Sequence, residues 1–478
     1  MLQICANHVG DSSFKSSVTF FRVYVKIHFP ENVYVSVCDL NLYILNNGAT
    51  MRIYVKGFGC SSSIADAEVL AGCLVSAGHT ITSNFHEADL VLYNTCAVKA
   101  PTENRMINLL KKVPREKKLV ITGCLPLVNL ERLRREVRLD AVAGPALGKK
   151  IVNIIEKVSE GEYVEMLEGS LMDMPQLDLP HIHVNPKISI IPINYGCLGS
   201  CSYCCVRFAR GKLRSYPVKE IVNKAEKDLK KGVREFWLTS QDTACYGRDI
   251  GTNLAKLLKN ICNVEGDFFI RVGMMTPNHL SDIFDELIEA FEDEKVFKFL
   301  HLPVQSGDDN VLIQMNRFYS TEDFISLIEE YKTAFPQSTI ATDVIVGFPG
   351  ESESAFKRTY RLIEEAGPDI VNVSKFFARP KTRAADMASQ VPSSEIKHRS
   401  VCLASMARHI ALKRNKDWNG WRGEILVDEM GKPRSVVGRN FAYKPIVIKR
   451  SGGESLLGEF VSVKVVDAFQ SHLLGEII

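Results

Sequence analysis

The chain has 478 residues, 46% hydrophobic and 24% charged, with 59 Lys+Arg against 56 Asp+Glu and a formal net charge of +3. That length carries two or three globular domains, and near-neutrality excludes a large polyanion-binding surface while permitting a local basic patch. Thirteen cysteines without a secretory pattern argue against a disulfide framework and for a reducing, cytoplasmic compartment, and no apolar run reaches the roughly 18 residues of a membrane span.

Residues 1–50 carry no pattern that joins the rest, so they are read as an unassigned or artefactual extension, with Met51 as the real start. From residue 51 to about 160, short apolar runs alternate with amphipathic stretches. Strands are expected at Ile53–Val55, Thr80–Ser83, Leu90–Tyr93 and Leu119–Thr122, with helices at Ile64–Ala77, Pro101–Lys112 and Leu127–Arg135. Such alternation predicts a parallel sheet in an α/β domain. Cys60, Cys96 and Cys124 each fall just past a strand end, where the loops of an open α/β sheet converge on one edge. Any one of them alone reads as a core cysteine. Together they make a candidate three-thiol metal site.

Residues 161–185, with Gly161, Gly169, Pro175 and Pro180, are predicted as a linker. Over 186–392 strands are expected at Ile188–Ile193, Glu235–Thr239, Phe268–Val272, Lys298–Leu302, Ile340–Gly347 and Ile370–Phe376. Helices such as Val218–Lys231, Leu254–Cys262 and Phe356–Ala366 lie between them. These units are too few for a closed eight-stranded barrel, so a partial (βα)6 barrel is predicted, open at one side, with its chemistry at the carboxyl ends of the strands. Just past the first strand comes Tyr195-Gly-Cys197-Leu-Gly-Ser-Cys201-Ser-Tyr203-Cys204. A structural zinc site wants four ligands, usually as separated cysteine pairs. An iron–sulfur cube takes one thiolate per iron, so three cysteines leave one iron open to chemistry. Gly196, Gly199, Arg207, Arg210 and Lys212 mark this segment as a loop near an anion, not an apolar face. Cys205 breaks the spacing and reads as a bystander.

Polar groups follow the later strands: Ser240, Gln241 and Asp242 after the second, Gln305 and Ser306 after the fourth, then Arg317. Each alone could be a turn residue or a helix cap. Residues 393–416 read as a basic helical connector. The last segment, 417–478, carries five short runs separated by Gly431-Lys-Pro433 and Ser451-Gly-Gly453, the pattern of a small closed β-barrel. Arg434, Arg439 and Lys444 interleave there with Phe441 and Tyr443, a composition suited to RNA backbone contact and base stacking. A solvated charged face is the plainer explanation.

The Cys-x3-Cys-x2-Cys spacing with Tyr203 before its last cysteine resembles the radical S-adenosylmethionine (SAM) enzymes. Gly57-Phe-Gly-Cys60, Asn94-Thr95-Cys96, Thr122-Gly-Cys124, Pro303-Val-Gln-Ser-Gly307 and Gly347-Phe-Pro-Gly-Glu351 extend the likeness. Over 51–478 the chain resembles the methylthiotransferase family, and its last segment resembles that family's TRAM RNA-binding domain. Ala209-Arg-Gly-Lys-Leu-Arg-Ser-Tyr-Pro217 and Leu238-Thr-Ser-Gln-Asp-Thr243 resemble the archaeal and eukaryotic branch that acts on N6-threonylcarbamoyladenosine at tRNA position 37.

The resemblance implies two 4Fe-4S clusters, one on Cys197, Cys201 and Cys204 and one on Cys60, Cys96 and Cys124. It implies two SAM molecules, one giving a methyl group to sulfur on the second cluster and one yielding the radical that abstracts hydrogen from adenine C2. Tyr203 is expected near the SAM adenine, Arg317 at its carboxylate, and Ser240, Gln241, Asp242, Gln305 and Ser306 around the rest. Implied partners are tRNA, a flavodoxin- or ferredoxin-like electron donor and a sulfur source, with no membrane and a monomer as the default. Lys381 departs from the family, which usually has glycine there. Isopentenylated tRNA or a ribosomal-protein aspartate is the rival substrate, and an RNA-binding protein with structural zinc is the rival of another class.

Overall fold

β1 (Arg52–Gly57), β2 (Thr80–Ile81), β3 (Leu90–Thr95), β4 (Lys118–Gly123), β5 (Ala141–Ala143) and β6 (Val164–Met166) form one parallel sheet in the order β2-β1-β3-β4-β5-β6. The computed structural model describes residues 50–98, 100–167, 174–432, 434–449 and 452–478, and the reading of the first 49 residues lies outside these. β3 is buried at every position, as its unbroken apolar run requires of a strand covered on both faces. Alternation along β3 divides the core: Val91 and Tyr93 meet Met106, Ile107, Leu125 and Val128 on one face. Leu90 and Leu92 meet Leu70, Leu74, Ile151 and Ile154 on the other. β6 pairs with β5 at Ala141↔Val164, so the domain runs to Met166 and the predicted linker starts too early. Ala141-Val-Ala143 and Val164-Glu-Met166 sit in no apolar run that would mark them as strands.

The middle domain contains β7 (Ile188–Pro192), β8 (Asn194–Tyr195), β9 (Arg214–Ser215), β10 (Glu235–Thr239), β11 (Phe269–Val272), β12 (Phe299–His301), β13 (Thr339–Val346) and β14 (Ile370–Lys375). β7, β10 and β11 form one parallel sheet and β12, β13 and β14 another, with a parallel bridge Ile270↔Val296 at the seam. These are the six barrel strands expected. β8 and β9 form a short antiparallel ribbon beside them. Outward-facing Ile191, Phe236, Leu238, Ile270 and Val344 pack beneath the surrounding helices in one large core. Ile64 and Ala65 of the helix Ser61–Ser76 pack on Ile188 and Ile190 of β7, bringing the N-terminal domain against the first barrel strand.

The helix Ser393–Lys416 has the bounds its basic pattern predicted. It leads to β15 (Arg422–Met430), β16 (Ser435–Arg439), β17 (Pro445–Lys449), β18 (Phe460–Ala468) and β19 (Leu473–Ile477), a closed barrel in the order β15-β16-β17-β19-β18. Ile425, Val427, Val436, Ile446, Val463 and Leu473 fill its interior. No described helix is long and apolar enough to cross a membrane.

Candidate active site

Cys60, Cys96 and Cys124 follow β1, β3 and β4, three adjacent strands of one sheet. Buried hydrogen bonds tie the three strand ends together: Asn94 Nδ2 to Ser63 O at 2.6 Å, Thr122 Oγ1 to Asn94 Oδ1 at 3.0 Å and Thr95 Oγ1 to Thr122 O at 2.6 Å. Gly59 has φ +109°, and a Cβ there would lie 2.8 Å from Cys96 Sγ. Only glycine lets the first loop close on the second thiol. The charge of each thiolate acts on its neighbours, and burial pushes the Cys124 thiol up to about 12. A metal cluster must therefore displace protons from this site as it binds. Three convergent thiols and a loop with room only for hydrogen at Gly59 fit a cluster held by three cysteines.

The second set begins where Gly196, at φ +74°, turns the chain beneath Lys212; a Cβ there would stand 1.9 Å from Lys212 O. A Cβ on Gly199 would lie 3.3 Å from Cys197 Sγ and 3.7 Å from Cys201 Sγ, so these two thiols flank one small cradle. Later barrel loops clamp this segment. Ser202 N donates to Met315 O at 3.0 Å, Ser202 Oγ to Gln314 O at 2.8 Å and Ala384 N to Ser202 O at 2.8 Å. Burial pushes the Cys204 thiol up to about 12. Here too the donor set is three cysteines, and it fits a second cluster.

Tyr203 and Arg317 come together from loops far apart in sequence. Arg317 Nη2 donates to Tyr203 Oη at 2.8 Å, and the Tyr203 ring meets Phe348 edge-on. Gln241 Oε1 is buried without a hydrogen-bond partner among the described residues. Gln305 takes φ +69°, a strained conformation of the kind that clusters at ligand sites. The other expected contacts are engaged within the protein. Asp242 Oδ1 accepts from Ala244 N and Thr276 N, and its Oδ2 lies 2.7 Å from His279 Nδ1. Asp242 thus braces its loop. Ser240 Oγ accepts from Asp242 N at 3.0 Å, while Ser306, fully buried, caps the next turn through Asp308 N and packs on Thr359 Oγ1.

Three expected RNA contacts need correction. Arg439 ion-pairs with Asp428 and lies over the Tyr443 ring, Lys444 Nζ bonds Asp369 and Asn415 while 3% exposed, and Phe441 packs on Trp418 and Trp421. This basic and aromatic strip is the seam between the small barrel and the middle domain, as the contacts of Tyr443 with Phe297 and Phe299 show. Composition cannot tell a solvent face from a domain seam. Arg434 is exposed.

Of two groups beside the cysteines, Cys245 gave no sequence signal and Cys205 read as a bystander. Cys245 donates to Asp242 O at 3.0 Å and faces the Cys197 thiol. Cys205, next in sequence to Cys204, donates to Ala97 O at 3.4 Å and shares an apolar cluster with Cys96 and Cys124.

Two family descriptions match the chain: the Radical SAM superfamily over residues 191–363 and Uncharacterized protein family UPF0004 over residues 52–144. A probable threonylcarbamoyladenosine tRNA methylthiotransferase of Pyrococcus horikoshii is 40% identical over 430 residues, covering 90% of this chain and 100% of that protein. The human threonylcarbamoyladenosine tRNA methylthiotransferase is 36% identical over 434 residues, covering 89% of this chain and 74% of that one. A radical SAM methyltransferase structure, TsrM from Kitasatospora setae, superposes with a TM-score of 0.54 at 15% identity, over 70% of this chain and 74% of that one, a likeness of fold. With relatives this similar along nearly its whole length, the chain belongs to the threonylcarbamoyladenosine tRNA methylthiotransferase family.

Proposed function

We propose that the protein installs a methylthio group at C2 of N6-threonylcarbamoyladenosine, tRNA position 37. One observation carries this reading: two sets of three thiols lie at the carboxyl ends of two parallel sheets, with Cys205 close to members of both. A single cluster with SAM would serve many radical reactions, but a second three-thiol site next to it suits delivery of an atom. Two 4Fe-4S clusters and SAM, when bound, supply methyl donation, a sulfur carrier and a radical, because an aromatic C–H offers no acid–base handle.

The chain's own residues position and enclose. Cys197, Cys201 and Cys204 hold one cluster, and Cys60, Cys96 and Cys124 the other. Arg317, whose guanidinium meets Tyr203, is placed to receive a carboxylate, and the unpartnered Gln241 Oε1 and strained Gln305 complete the SAM pocket. Exposed Leu198, Phe318 and Phe377, beside the cluster loop and the two loops that clamp it, offer apolar surface for an unstacked base. Arg434 lies on the outer face of the small barrel for the tRNA backbone. The reading calls for a flavodoxin- or ferredoxin-like reductant, a sulfur source and a monomer acting in the cytoplasm.

Anaerobic reconstitution tests the cofactors. About eight irons per chain should fall to about four in Cys197→Ala/Cys201→Ala/Cys204→Ala. Mass spectrometry of tRNA then tests the substrate, with threonylcarbamoylated, isopentenylated and unmodified tRNA as parallel arms. A methylthio product on the first alone is expected. Product on the isopentenylated arm instead would overturn the substrate assignment, and zinc in place of iron would overturn the enzyme.

A further inference from the structure

Arg210 ends the short helix Val206–Arg210, which follows the radical SAM cysteines in sequence yet packs on the helix Cys124–Glu136 of the N-terminal domain. The helix is anchored there by Ala209, which shares an apolar cluster with Cys96, Cys124 and Leu125. Its guanidinium is thereby carried out of the barrel and into the other domain's three-cysteine site. The side chain is 1% exposed, with Nη2 2.7 Å from Asp66 Oδ2 and the Tyr195 ring 5.5 Å away. The thiols of Cys124 and Cys96 both feel its charge.

An arginine has five N–H donors, and burying them unpaired is costly. Neither Nη atom of Arg210 makes a well-aligned hydrogen bond to any described residue, despite the short distance to Asp66 and the nearness of the Cys124 thiol. Asp66 is shared: its Oδ1 accepts the Tyr195 hydroxyl at 2.8 Å. The ion pair accounts for charge balance at Asp66. It does not account for a buried fork of donors left open beside three thiols.

We propose that Arg210 binds the small sulfur anion, a hydrosulfide or methylthiolate, presented at the Cys60/Cys96/Cys124 site, donating hydrogen bonds from its Nη atoms and offsetting the negative charge. The site is then complete only when both domains are docked, because the barrel supplies its anion-binding residue. This inference rests on the cluster reading of those three cysteines and is independent of which tRNA is used.

The test uses the full chain carrying Cys197→Ala/Cys201→Ala/Cys204→Ala, so that the remaining cluster alone gives the electron paramagnetic resonance signal after reduction. Sodium hydrosulfide and sodium methanethiolate are titrated, and the saturable change in that signal is read. Arg210→Gln is expected to weaken both anions at least about tenfold, the worth of a charge-assisted hydrogen bond. Arg210→Lys should weaken them less, and Asp66→Asn, which leaves the guanidinium in place, should retain most of the affinity. Iron counting at about four per chain certifies each variant. Unchanged affinity in Arg210→Gln overturns the proposal, as does an equal loss in Asp66→Asn, which would assign Arg210 to holding the domains together. If Arg210→Gln fails to keep its iron, Arg210→Lys decides: a several-fold loss supports the anion site and unchanged affinity overturns it. A parent without iron overturns the cluster reading and this inference together. A parent with iron whose signal no anion perturbs overturns this inference alone.

Discussion

At Gly59 a single hydrogen lets the first loop close on the Cys96 thiol. Its φ of +109° and the 2.8 Å between a would-be Cβ and Cys96 Sγ leave no room for alanine, because the Cys96 Cβ stands closer still, at 2.5 Å. Gly59→Ala should therefore lose the N-terminal cluster and keep the other, reading about four irons instead of about eight. Full iron content in that variant would sink the argument. Lys381 is the opposite case. It takes φ +65°, a conformation that costs an L-residue about 1–2 kcal/mol and glycine almost nothing, which is the physical sense of the family's glycine there. Lys381→Gly should raise thermal stability, by about 1 kcal/mol, without changing iron content. The six cysteines proposed as ligands stood out because spacing and strand ends are properties of sequence. Arg210 stood out only as a charge near an anion and Cys245 not at all, since only packing says whose site a side chain enters.

Strands and helices were read where an apolar run was long enough to show a period. All six barrel strands and the five of the small barrel were visible, even three-residue β12 within its apolar run Val296–Leu302, whereas Ala141-Val-Ala143 of β5 and Val164-Glu-Met166 of β6, with no such run, were not. The same limit explains the misplaced RNA surface: a strand's alternation reveals two faces but not which one meets another domain. Lys444 makes the difference measurable. Its ammonium, 2.7 Å from Asp369 Oδ1 with both groups buried, pins the small barrel to the start of β14. Lys444→Met leaves that carboxylate without its nearest cation and should destabilise the protein by about 3 kcal/mol in denaturant unfolding, with tRNA affinity unchanged once folded. Arg434→Ala should do the reverse, leaving stability alone while weakening tRNA binding and lowering its salt dependence by about one counterion. Should Lys444→Met cost affinity and no stability, the seam would have to be read as an RNA face after all.

The three domains act as one machine only if their seams hold, and the seam under the small barrel contains an acidic pair. Glu235 of β10 and Asp428 of β15 are both buried, and each is pushed upward by burial, Glu235 to about 8. Around them stand Arg439, 3.2 Å from Asp428 and 3.7 Å from Glu429, whose own charge also raises Asp428, Arg271 over the rings of Trp237 and Tyr443, and the Trp237 indole N–H, which donates to Glu235. A carboxyl whose folded value lies above its unfolded one adds most to stability while both states are protonated. That advantage is lost as pH rises from the ordinary value of 4.5 through about 8, since the unfolded state ionises first. Docking of the small barrel should thus weaken between pH 5 and about 8, read as a falling melting temperature or as faster proteolysis after the helix Ser393–Lys416. Glu235→Gln keeps the shape and removes the ionisation, so its profile should be flatter across the same window. A wild-type profile that rises with pH there, or a variant that falls as steeply, would show that Glu235 is ionised in the folded protein and that Arg439 neutralises the pair.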